Sequence, residues 1–129
     1  MLSKEACIRQ LDLGFLVRRL VDRERWTLED AIEAVRRYKN FLILVYRHPR
    51  EPLAPAPDMD EAWHAHILFT EKYTTTCQEI FGGYLHHTPA EGSPSEQKTM
   101  VDAQQNTARL YRKEFNEPYS LELDVSSFW

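Results

Sequence analysis

Glycine and cysteine are both scarce in this chain, at four and two residues of 129. So little glycine excludes a fibrous or low-complexity polymer, and the chain carries no P-loop, dinucleotide fingerprint or catalytic triad pattern. Cys7 and Cys77 cannot build a disulfide framework, and neither belongs to a Cys-x-x-Cys pair. A reducing, cytoplasmic setting is therefore expected. Long apolar runs are missing as well. The longest is the six-residue Phe-Leu-Ile-Leu-Val-Tyr at 41–46, far short of a bilayer span. The N-terminal "MLSKEACIRQ" mixes charges into its first ten residues, unlike a secretory signal.

Basic charge is not in surplus either. Sixteen Lys and Arg against 20 Asp and Glu leave a formal charge of −4, which repels nucleic acid and anionic membranes. The clusters "VRRL", "DRERW" and "VRRYK" are interrupted by acidic or apolar residues at helical spacing. They read as solvated helix faces, so neither nucleic acid nor membrane is expected as a partner.

What the chain does have is 43% hydrophobic and 28% charged residues, enough for one globular domain over residues 1–129 that buries roughly two-thirds of its unfolded surface. Leu11, Phe15, Leu16, Leu20 and Val21 predict a first helix over 11–25. Thr27, with Asp30 three residues on, predicts the capped start of a second, which runs to about Arg47. "HPREPLAPAP" holds four of the seven prolines and reads as a stiff, extended loop. Asp58 is the expected cap of a third helix, with Met59, Ala62, Trp63, Ile67, Tyr73, Cys77, Ile80 and Phe81 as its stripe until Gly82-Gly83 stops it. Ser93-Pro94-Ser95-Glu96 announces a fourth helix with Met100, Ala103, Thr107, Leu110, Tyr111 and Phe115 inward, closing before Pro118. The alternation of Tyr119, Leu121, Leu123 and Val125 suits a short extended C-terminal segment. The expected fold is all-α or nearly so, a bundle of about four principal helices.

Four of the five histidines fall within residues 57–89. At about 100° per residue, Asp60 and His64 share a helix face, to which Glu71 returns, whereas His64 and His66 diverge by about 200°. His66 falls on the apolar stripe, and the glycines after the third helix let His86 and His87 swing back toward it. One reading is a mononuclear metal site of Asp60 and His64 with His86 or His87, completed or supported by His66. Trp63, Tyr73 and Cys77 would form its wall. Imidazoles with one carboxylate suit a divalent zinc or iron ion, and three protein ligands leave room for water or substrate. The competing reading is structural: His66 hydrogen-bonded to Tyr73 or a carbonyl, His64 paired with Asp60 or Glu71, and His86-His87 a solvated turn. Cys77 reads as a small buried hydrophobe; Cys7 and His48 read as incidental.

The order "YKNFLILV", "HPREPLAPAPDMDEAWHAHIL", "EKYTTTCQEIFGGYLHH" resembles the glycine-rich domain-containing protein-like family. Its pattern falls on Tyr38, Phe41, Leu42, Asp60, Trp63, His64, His66, Tyr73, Cys77, Gly82, Leu85 and His87. The resemblance implies that His87, rather than His86, joins Asp60 and His64. It implies no reaction, and the chain leaves the pattern at "TPAEGSPSEQK". Two functions thus compete: a metal-binding helical domain, with metal-activated water or oxygen chemistry if it is an enzyme, and a non-enzymatic protein interaction module. The second would use the proline-rich loop or the aromatic tail Phe128-Trp129, unless that tail docks into the bundle.

Overall fold

The computed structural model describes residues 2–87 and 92–120. They form six helices: α1 Lys4–Arg9, α2 Gly14–Asp22, α3 Leu28–Arg47, α4 Pro57–Leu68, α5 Thr70–Phe81 and α6 Pro94–Phe115. No strand occurs among the described residues. The all-helical class is as expected; the count differs from four because α1 lies ahead of the first expected helix and the third expected helix is divided into α4 and α5.

At the N-terminus, Ser3 caps α1 by accepting from the amide of Ala6 at 3.0 Å. Only Ile8 of this short helix is buried, so no periodic stripe announced it. The expected start at Leu11 moves to Gly14, whose amide is held from outside by Asp12 Oδ1 at 3.1 Å. Leu16 and Leu20 then turn into the core.

The central element is α3. Thr27 caps it, accepting from Asp30 N at 3.1 Å. Tyr38, Phe41, Leu42, Ile43 and Leu44 are all essentially inaccessible. With Asn40, six of the seven positions 38–44 are buried, on every side of the helix, as befits one surrounded by neighbours. It contacts α1, α2, α4 and α6. Each large side chain buried here contributes roughly 1.5–3 kcal/mol.

The third expected helix breaks at Phe69, whose backbone (φ −89°, ψ 71°) caps α4 at one end and α5 at the other. Its ring sits edge-on against Phe15, centroids 4.8 Å apart. The cap also moves: Ala56 is the N-cap, without a side-chain bond, and Pro57 occupies the first turn. Proline needs no amide partner there, so the helix starts ahead of Asp58. That carboxylate instead accepts from Arg37 Nε at 2.7 Å.

Ser93 and Glu96 make the expected capping box of α6. Asn116 ends the helix in the left-handed conformation, φ 54°. Ala103, Thr107, Leu110 and Tyr111 are buried as expected, but Met100 is 37% exposed and Phe115 is half-buried. Helix α6 and the residues after it clamp the proline-rich loop: Ala54 N donates to Thr107 Oγ1 at 2.8 Å, and Tyr119 Oη donates to Ala54 O at 2.6 Å. His48 also has work here, pairing with Glu114 at 2.6 Å. The remainder of the expected extended segment, Leu121, Leu123, Val125 and the Phe128-Trp129 tail, lies outside the described residues. No described helix is long and apolar enough to cross a membrane.

Candidate functional site

The site is assembled by a chain reversal. Gly82 caps α5 with φ 71°, a left-handed conformation that glycine adopts without strain. The following residues fold back onto α4 and α5. Tyr73 fastens them: its hydroxyl donates to Leu85 O at 2.5 Å and accepts from Trp63 Nε1 at 2.8 Å. Burial pushes the Tyr73 phenol far above its usual range, so it remains a donor. One hydroxyl thus joins α4, α5 and the returning segment.

That relay delivers His87 to Trp63, with ring centroids 4.4 Å apart at a 45° tilt. Trp63 in turn rests on Phe41 of α3, 5.4 Å between centroids. From this position His87 Nε2 reaches Asp60 Oδ1 at 2.5 Å. A carboxylate only accepts, so Nε2 is the donor; Nδ1 has no hydrogen bond among the described residues. The two side chains keep 23% and 45% of their exposure, which leaves the pair reachable from solvent.

The pair lies in a cleft of about 660 Å³ between α4, α6 and the proline-rich loop, lined by Leu53, Ala54, Pro55, Pro57, Asp60, Trp63, His86, His87, Met100 and Gln104. Leu53, the two prolines and Met100 give the lining apolar surface, and Asp60, the imidazoles and Gln104 give it polar groups. Pockets of this size and mixture are typical of small-ligand sites.

The remaining expected site residues lie elsewhere. His66 is fully buried, its Nδ1 2.7 Å from Tyr38 Oη. Its Nε2 has no hydrogen-bond partner among the described residues. The ring stands edge-on to Tyr73 at 5.0 Å and to Phe15 at 5.7 Å. Burial lowers its pKa to about 4, so it is neutral at physiological pH. Tyr73 therefore touches His66 as a ring, while Tyr38 supplies the hydrogen bond; the apolar stripe of α3, which contains Tyr38, was the only signal for that partner. His64 is exposed and makes no side-chain hydrogen bond among the described residues, to Asp60 and Glu71 included. His86, also exposed, meets the edge of Tyr84 at 4.8 Å. Cys77 is buried and free, Cys7 half-buried and free. Of Asp60, His64, His66, His86 and His87, the fold brings Asp60 and His87 into contact, with His86 on the same cleft. No group of three or more His, Cys, Asp or Glu side chains placed to hold a metal ion occurs among the described residues.

Comparison with known proteins gives one family. The UCP032817-like family model matches residues 3–116, and the chain belongs to that family. No curated protein and no solved structure matches it.

Proposed function

We propose that the cleft over Trp63 is the functional site and that the Asp60–His87 pair in it takes a divalent metal ion, zinc or iron. The observation that carries this reading is the 2.5 Å approach of His87 Nε2 to Asp60 Oδ1 in an open cleft that also receives His86. The donor chemistry suits the ion: an imidazole and a carboxylate, with a second imidazole within the cleft and no protein cation lining it. An ion held by the pair would take the place of the hydrogen between Nε2 and Oδ1. Bound there, it would supply a Lewis acid or an activated water. The chain's own part is to hold the pair through Trp63 and Tyr73 and to offer an apolar wall to a ligand. Kinship with the glycine-rich domain-containing protein-like family forms part of the proposal. It is supported by motif residues Asp60, Trp63, Tyr73, Leu85 and His87 falling on one connected assembly. A cytoplasmic setting is proposed with it, supported by the two free cysteines.

Elemental analysis of tag-free protein tests the reading. About one equivalent of zinc or iron is expected, lost in His87→Ala and Asp60→Asn and retained in His64→Ala. No uptake by the parent chain above that of His87→Ala, after incubation with either metal, rejects it.

A second reading, a non-enzymatic interaction module with structural histidines, is supported by His66, a buried histidine with no accessible surface and a tyrosine partner. Retention of fold and partner binding by Asp60→Asn and His87→Ala would favour it.

A further inference from the structure

We propose that the groove between α2 and α3 docks an acidic amphipathic helix of another protein. Charge in this chain is unevenly divided. Residues 1–50 hold eleven Lys and Arg against seven Asp and Glu, and the remainder holds five against thirteen. The groove, about 370 Å³, belongs to the basic half. Arg9, Arg36 and Lys39 line it beside Leu13, Val17 and Ile32, with no carboxylate in the lining.

Its cations differ in availability. Arg36 is already held by Glu33 and Glu117. Lys39 donates to the carbonyls of Arg9 and Leu11 and has Asp12 nearby. Arg9, which has Glu5 nearby, makes no side-chain hydrogen bond or ion pair among the described residues, and neither does Arg18, which stands at the edge of the groove beside Gly14 and Asp12. The seam thus holds both signs, but its carboxylates are engaged, Glu33 by Arg36 and Asp12 by the Gly14 amide, while Arg9 and Arg18 are left to meet a partner.

Apolar surface accompanies it. Leu28 and Ile32 are 61% and 52% exposed, one helical turn apart on the same face of α3. A single exposed leucine needs no explanation, but two in register beside an open groove form an uncovered stripe. The complementary shape is a helix. The groove runs between two helices, as a ridge-into-groove partner requires, and among the described residues there is no sheet edge for an extended peptide to join. Apolar anchors would cover Leu28, Ile32 and Val17 while flanking carboxylates meet Arg9, Arg18 and Lys39. This surface does not involve the cleft at Asp60 and His87, so it stands whether or not metal binds there.

The test is an NMR titration of the isotope-labelled full chain with a synthetic amphipathic peptide of about five helical turns, leucine on one face and glutamate flanking it. A counterpart with lysine for glutamate serves as control. The acidic peptide is expected to shift the amide signals of Val17, Ile32 and Lys39 saturably. The basic one should shift none, and salt at about 1 M, which shortens the screening length to about 3 Å, should weaken binding at least about tenfold. Ile32→Asp should abolish the shifts without lowering the melting temperature, because the residue is exposed. The proposal is overturned by unshifted α2 and α3 signals or by equal binding of both peptides. Self-association of the chain alone that Ile32→Asp abolishes also overturns it, because that assigns the face to a second copy.

Discussion

Helix α3 and the α4–α5 segment begin from similar sequences, each a long apolar stripe behind an acidic first turn, yet one runs unbroken for 20 residues and the other turns after 12. The difference lies in what the side chains must reach. Those of α3 find partners all around in α1, α2, α4 and α6, so a straight rod satisfies them. Trp63 and Tyr73 must meet each other. Ten residues apart on one helix they would be separated by about 15 Å along the axis, whereas their polar atoms are 2.8 Å apart. The bend at Phe69 makes that bond available, and the bond holds the segment that carries His87. The interrupted helix and the buried hydrogen bond at the candidate site thus occur together.

The sharpest way to break this comparison is to remove the contacts that the bend serves. Trp63→Ala leaves a cavity between Phe41, Tyr73 and His87 and should cost about 3–5 kcal/mol, a large share of a typical domain's stability. Tyr73→Phe keeps the ring but orphans Trp63 Nε1 and Leu85 O, for about 1–3 kcal/mol. Urea denaturation gives both values. In Tyr73→Phe, the His87 ring signals should also lose the upfield displacement caused by the Trp63 indole. Unchanged His87 signals would mean that Asp60 alone positions the imidazole.

His66 sharpens the comparison from inside, because it lies between α3 and α4. Its folded pKa, about 4, is below the ordinary 6.5. The unfolded chain therefore binds the proton more readily, and stability present above about pH 6.5 is lost as pH falls toward 4. The drop is on the order of 3 kcal/mol and should vanish in His66→Gln. Glu5, Glu33, Glu114 and Glu117 have carboxyls lowered by arginine partners or, for Glu114, despite its burial, by Arg47 and His48. They lose their contributions only below the ordinary carboxylate range, so melting temperatures between pH 5 and 6.5 separate the histidine from them.

Most local signals survived into the structure, the Asp58 cap excepted, and most relational ones did not. Thr27, Ser93 with Glu96, and Gly82 act within a turn of their own positions, and each ends or begins a helix where the sequence placed it. Phe69, at the break, packs on Phe15, far away in sequence, and Tyr38 meets His66 across 28 residues. No periodicity reports such pairs. Asp60 and His87 were legible through the motif and the glycine reversal. His64 was grouped with them on helical spacing, but sharing a face with Asp60 does not bring its side chain to His87.

Smaller effects should come from the helix starts, where the two regions are alike. Thr27→Ala removes the acceptor for Asp30 N from α3 and should cost about 1 kcal/mol. Ser93→Ala breaks both halves of the α6 capping box and should cost a similar amount. A chevron analysis distinguishes them. A central α3 formed early would slow folding in Thr27→Ala, while a late α6 would speed unfolding in Ser93→Ala.

The smallest expected effect is at Glu33, whose bond to Arg36 lies on the open side of α3. Both side chains are about half exposed, at 52% and 46%, so water and salt screen the pair. Arg36 also keeps Glu117 at 2.7 Å when Glu33 is removed. Glu33→Ala should therefore change stability by no more than about 0.5 kcal/mol, within the scatter of a denaturation series. A loss several times larger would show that Glu33, Arg36 and Glu117 act as a unit tying the end of α6 to α3. The contrast between α3 and the bent segment would then need a polar term as well as an apolar one.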